Sequence, residues 1–500
     1  MALQHDIWYD ILVVGAGTAG MVCAICAAEH GARNILVVEK SDRVGGTLHL
    51  SSAHLSAAGT QRQKQRGIED SPEAHYADIM RITGNTADPV LTRLAVEEAA
   101  QTVEWLESLG FPLDDSTPKI VYGHVPYSTP RTVFAPVAEG GTLLLSVLMP
   151  LWDKHVRSGT ITLRLAHTLR EILRDPHTGA INGVVCEQRS GEMVVLNSQN
   201  VVIASGGYAN NSSFFRTVMP KNAPRLRSAA AETSLGEGIV AAMKIGAQFR
   251  NAEHHIISIG GIEFEPKSGR VDYWKAWAGV FSSVHRTVRE IYVNAEGKRF
   301  LNEDEPNADT RERAVMAQPD WQFWILFDDA ALEASYQEGT PLVRQWESAD
   351  TVRKLAEDGK FLWKADSWAA LATKAGLSAE HIAKTVNAFN LAAATGRTDE
   401  MGRSVVSATA SSTSSCALDT PPYYALLVHG CSLISFGGLA ANAALQVLDA
   451  TNTPIKGLYA IGEVLGAGAT SGNAFCSGML ITPAISFGRI LGKHLASTVS

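Results

Sequence analysis

Near the start of the chain, YDILVVGAGTAGMVCAICAAEHGARNILVVEK runs from an apolar strand, Ile11 to Val14, through Gly15-Ala16-Gly17-Thr18-Ala19-Gly20 into a helix of small residues. A second apolar strand, Ile35 to Val38, comes next and ends on Glu39. No other feature restricts the fold as much, because each part answers one requirement of a dinucleotide cradle. Gly15 permits the tight turn, Gly17 lets the backbone approach a pyrophosphate, and Gly20 lets helix and strand pack closely. The helix N-terminus attracts the phosphates. Glu39, about 20 residues past the glycines, can accept hydrogen bonds from an adenosine ribose. Strand, glycines, helix, strand and acid in this order predict a Rossmann-type α/β domain.

The adjoining segment separates a flavin from a nicotinamide. EKSDRVGGTLHLSSAHLSAAGT places Glu39 and Lys40 ahead of Gly45, Gly46 and Thr47, then a small-residue run with Ala58, Gly59 and Thr60. VVIASGGYANN carries Ala204, Ser205 and Gly206; TSLGEGIVAAMKIGAQF, EIYVNAEGKRFLNED and GLYAIGEV (with Gly462 and Glu463) come after it in order. Together these motifs resemble the flavoprotein family of fumarate reductase, succinate dehydrogenase and 3-ketosteroid dehydrogenase. Ser205 stands where that family usually has Thr, and Glu237 where it has Asp. The resemblance implies bound FAD, with Gly478, Leu480 and Ile481 as further flavin contacts. It also implies a glutathione-reductase-like FAD-binding domain (1–255 and 433–500) into which an α+β capping, catalytic domain (256–432) is inserted. His54 lies where some relatives attach FAD covalently, but the S-H-T pattern is absent, so non-covalent FAD is expected.

In such enzymes the flavin N5 exchanges a hydride while a protein group moves a proton on the neighbouring carbon. The site needs an apolar slot, donors to a carbonyl or carboxylate, and an acid or base. The resemblance puts Phe475 where fumarate reductases carry a substrate-clamping arginine and Ile434 where they carry a histidine. Arg311, and after it Arg313, are the nearest matches to their proton-donating arginine; a solvated charged helix start is the competing reading. Ketosteroid dehydrogenases use tyrosines where this chain has Asn307 and Ala474, but their carbonyl-binding glycine amide is retained as Gly478.

An acid or base is therefore sought elsewhere. YGHVPYSTPRTVF gathers Tyr122, His124, Tyr127 and Arg131 in an irregular loop, and a tyrosine beside an arginine has its phenolate stabilised. Tyr127 as base and Arg131 as anion stabiliser are the expected pair; half-buried aromatics with a surface arginine are the alternative. His254 and His255 suit hinge packing or substrate contact, and Trp274 and Trp277 a pocket wall or a core. Two functions compete. One is an FAD-dependent dehydrogenase introducing a C=C bond α,β to the carbonyl of a cyclic, largely apolar ketone. The other is a reductase of an activated alkene acid, with Arg311 as proton donor.

Composition narrows the setting. The 500 residues are 46% hydrophobic and 19% charged with net charge −8, which predicts a globular chain without a field for nucleic acid. No window predicts a membrane span, and no secretory leader is read at the start, so a cytoplasmic location is expected. Six scattered cysteines make no disulfide framework, and Cys23 and Cys26 fall inside the small-residue helix, where packing explains them. No metal-ligand spacing is present. The partner is a small molecule; oxygen, a quinone or a redox protein would serve as electron acceptor.

Overall fold

The computed structural model describes residues 7–121, 125–272, 287–342, 346–403 and 416–499. Its central sheet has the strand order Gln446–Leu448, Pro454–Ala460, Val201–Ile203, Ile11–Val14, Ile35–Val38, Ile161–Arg164. All pairings are parallel except that of Gln446–Leu448 with its neighbour. Ile11–Val14 and Ile35–Val38 are continuous apolar runs because both their faces are covered, and all eight residues are buried. The glycine loop thus leaves the carboxyl end of an inner strand, where open α/β sheets bind ligands.

The helix Thr18–Glu29 is buried along nearly its whole length and packs on the last helix, Ile481–Val499. Cys23 and Cys26 lie inside this contact as free thiols, and burial pushes Cys26 up to about 11 and Cys23 higher still. They pack, and neither is poised as a thiolate. Pro89–Ser108 forms as its punctuation predicts: Asp88 Oδ1 accepts from the N–H groups of Val90 (2.9 Å) and Leu91 (3.0 Å), and Gly110 lies just beyond the helix with φ +93°.

Buried apolar side chains form two large clusters. One draws on residues from Tyr9 to Ala247 and again from Leu439 to Ala496. The other, from Ile257 to Val428, packs helices on a five-stranded antiparallel sheet of Ser258–Gly261, Tyr423–Cys431, Gln322–Asp328, Ile291–Val293 and Leu362–Ala365. The RFLNE motif explains itself here: Arg299 Nε donates to Glu303 Oε1 at 3.0 Å, and its Nη1 donates to Asp399 at 2.7 Å. Glu303 also accepts from the Tyr292 N–H at 2.9 Å and pairs with Arg403. Buried charges are tolerated when paired and hydrogen-bonded in this way. Among the described residues no helix is long and apolar enough to cross a membrane.

Candidate active site

At the nucleotide end two glycines meet opposite needs. A Cβ on Gly20 would collide with the Gly15 carbonyl, whereas nothing lies within 4 Å of where a Cβ on Gly17 would stand. Gly17 caps the helix Thr18–Glu29 with no side chain, so Thr18 and Ala19 open a helix end facing free space. Glu39 turns its carboxylate to this loop, accepting from Ala16 N and Ser41 N, each at 2.8 Å. Gly45 donates to Ala16 O at 2.8 Å and Gly46 lies against Gly17, with Thr47 exposed beside them. Gly462 abuts Ala19, and Glu463 accepts from Ser435 N (2.9 Å) and Ser435 Oγ (3.1 Å).

Beside Ala204 and Gly206, the buried Ser205 hydroxyl has no hydrogen-bond partner among the described residues and lies against Gly238. Lys40 is engaged by Glu237, at 2.8 and 2.9 Å, which ties the second strand to the helix Glu237–Lys244. An uncapped helix end, clearance over Gly17 and a carboxylate at ribose distance in sequence fit the phosphate and ribose parts of FAD.

The small-residue run is braced from beneath. Gln63 Oε1 accepts from Gly59 N at 2.7 Å and Thr60 N at 3.2 Å, while its amide donates to Asp70 at 2.8 Å. Ala58 is buried beside them. Next to this run, Leu55–Ser56 pairs with Thr132–Val133. The stretch TSGNAFCSGM crosses here. Ser477 and Cys476 are buried, while Phe475, Gly478, Leu480 and Ile481 are half-buried. Gly478 has φ +74°, and a Cβ would strike the Ser56 backbone.

An apolar wall stands over this stretch. Ile256, Phe436 and Ala467 are buried together, and the partly buried Met316, Ile434, Phe475 and Leu480 pack against them. Ile434 and Phe475, 41 positions apart in the chain by their numbers, thus share one surface. His255 adjoins it, stacked on Trp321 at 5.3 Å, and its N–H donates to Asn473 Oδ1 at 3.3 Å.

Tyr127 and Arg131 lie together but not as a base and its stabiliser. Arg131 is wholly buried, with Nε and Nη2 on Asp70 (2.9 and 2.7 Å) and Nη1 on Asp78 (2.5 Å). Its cation faces the Tyr127 ring, 5.1 Å from the centroid. The Tyr127 hydroxyl donates to the Ser477 carbonyl at 2.7 Å, and burial pushes the phenol well above its ordinary value. The phenolate a base requires is therefore disfavoured, and three of the arginine's five N–H donors are already engaged by carboxylates.

The solvated helix start also fails. In the helix Ala308–Met316, Asn307 caps Asp309 N at 2.9 Å, and Arg311 and Glu312 are buried on the face shared with Ala308 and Val315. Burial pushes Glu312 well above the carboxylate range. Only Arg313 is solvated, and it reaches Asn473 O at 2.7 Å. Tyr122, His124, Trp274 and Trp277 lie outside the described residues. Sequence reasoning missed Met316, Ile256, Asp70 and Asp78; the acids lie 61 and 53 residues from Arg131, and no spacing rule links them.

Residues 10–480 match the family described as FAD binding domain, and the chain belongs to that family. A probable fumarate reductase of Shewanella frigidimarina is 28% identical over 495 residues, 97% of this chain and 74% of that protein. A vinyl phenol reductase of Lactiplantibacillus plantarum is 26% identical over 508 residues, covering 99% and 97%. A 3-oxosteroid 1-dehydrogenase of Mycobacterium tuberculosis is 23% identical over 583 residues, covering 98% of each. The open form of a flavocytochrome c3 fumarate reductase superposes with TM-score 0.75 at 27% identity, over 100% of this chain and 80% of that one. The protein is an FAD-binding oxidoreductase with the fold of these flavoproteins.

Proposed function

We propose that the protein desaturates a cyclic, largely apolar ketone at the bond α,β to its carbonyl. The observation that carries this is the wall: Ile434 and Phe475, which the sequence resemblance puts where fumarate reductases carry charged substrate contacts, pack into one apolar surface with Met316 and Leu480. A dicarboxylate would lose its solvation against such a wall without gaining partners, whereas a ring with one carbonyl would not. The wall draws on Ile256 and Met316 from the proposed cap (256–432) and on Ile434, Phe436, Ala467, Phe475 and Leu480 from the proposed flavin domain. FAD supplies hydride acceptance at N5. Gly478 offers the backbone N–H that polarises the carbonyl, and the wall holds the ring and excludes water.

Reduction of an activated alkene is the second reading. It is favoured by the full-length likeness to a vinyl phenol reductase and by Arg311 in the helix that ends at Met316. Anaerobic mixing separates the two. Cyclohexanone-type ketones bleach the oxidised flavin if desaturation is right; reoxidation of dye-reduced enzyme by an alkene, with no bleaching by ketones, overturns it.

A further inference from the structure

Ser477 is held at both of its polar ends. Its carbonyl accepts the Tyr127 hydroxyl at 2.7 Å, and its Oγ accepts from Thr132 Oγ1 at 3.2 Å. Thr132 is itself 2.9 Å from Ser56 Oγ, and Ser56 N donates to Thr482 Oγ1 at 3.0 Å. All of these groups are buried. The Ser477–Gly478 peptide is trans, so its N–H points opposite to its C=O. With the carbonyl anchored on Tyr127, the Gly478 N–H is aimed away from the tyrosine. Among the described residues that N–H has no acceptor. Gly478 lies between Phe475 and Leu480, both part of the apolar wall.

From this we infer that Tyr127 is a positioning residue: by donating to the Ser477 carbonyl it fixes and strengthens the Gly478 N–H as the donor to the substrate carbonyl. The inference rests on the desaturase reading. A hydrogen bond to a peptide oxygen polarises the whole amide, which makes its N–H a better donor. A fixed donor also needs no reorganisation as charge develops on the substrate oxygen. The tyrosine never touches the substrate, and its proton stays where it is.

The test uses the FAD-loaded enzyme with a cyclic enone bearing an isotope-labelled carbonyl, read by infrared difference spectroscopy, alongside steady-state kinetics. Tyr127→Phe is expected to retain FAD, to move the bound carbonyl band to higher wavenumber, and to lower kcat about tenfold, less than outright removal of a donor costs. The shape of the kcat–pH profile stays that of wild type, whereas a base role would remove a limb of it. Difluorotyrosine at position 127, a stronger donor of nearly the same shape, moves the band to lower wavenumber, which covers the case in which the phenylalanine variant does not fold. An unmoved carbonyl band in both variants overturns the inference while leaving the desaturase reading intact. A change confined to the flavin's own carbonyl bands also overturns it, by assigning the amide to the cofactor. If wild-type enzyme neither binds the enone nor oxidises ketones, the desaturase reading falls and the inference with it.

Discussion

Two regions meet at TSGNAFCSGM and are built on opposite plans. On one side Tyr127, Arg131, Asp70 and Asp78 form a buried, hydrogen-bonded polar nest, with the His75 ring packed edge-on against Tyr127. On the other, Ile434, Phe475, Leu480 and Met316 form a half-buried apolar wall. The residues that look like chemistry in the sequence are used to hold the loop, and on the proposed reading the residues that look like filler are the ones that meet the substrate. Polarity near a flavin is therefore a poor guide to contact with substrate; direction and burial decide it.

The largest effect expected of breaking this contrast is on the nest. Arg131→Ala strands two buried carboxylates and should cost about 3–5 kcal/mol of stability by denaturant unfolding. A cost below about 1 kcal/mol would mean that the nest is no keystone. On the wall, Phe475→Arg should lower kcat/KM for ketones roughly a hundredfold, about 3 kcal/mol of transition-state binding, while tightening carboxylate inhibitors. Ketone turnover that survives this change would remove the wall as the selector of substrate.

His75 sharpens the contrast by pH. It is fully buried with neither ring nitrogen partnered, and burial, then the Arg131 charge, pushes it down to about 3. Below about pH 6.5 the unfolded chain takes up a proton that the folded one refuses, so stability falls as pH drops from about 6.5 to 3. His75→Leu should flatten that slope and add about 1–2 kcal/mol at pH 5. Asp78, whose burial is outweighed by hydrogen bonds from Ser128, Arg81 and Arg131 that hold it at about 2, adds to the loss only at the acid end, as pH falls from about 4 to 2. The smallest change is expected from Arg313→Ala: its half-exposed link to Asn473 O should be worth under about 1 kcal/mol in thermal unfolding.

The nucleotide end was legible because local rules govern it. Glycines that must turn, clear a ligand or admit a helix leave a spacing behind, and Asp88 and Pro89 mark a helix start by themselves. The motif RFLNE was equally visible, though its ionic pairing appears only once Asp399 and Arg403 are brought to it. The catalytic end was legible only as absence: Phe475 and Ile434 stood out for lacking charge. Arg131 misled because its partners come from the segment before and within the helix Pro72–Ile82. Arg311 and Glu312 misled because two charges in succession read as surface, and tertiary packing overrode that.

The strand Ser258–Gly261 runs antiparallel to Tyr423–Cys431, with Ser258 opposite Cys431. On the proposed division, with a cap at 256–432, the chain leaves the flavin-binding part and comes back to it side by side. Topologically everything between is the loop of one hairpin grown to domain size, and lengthening a loop adds closure entropy only slowly. If the proposed cap is such an insert, it can be enlarged, trimmed or exchanged while the nucleotide cradle keeps its register.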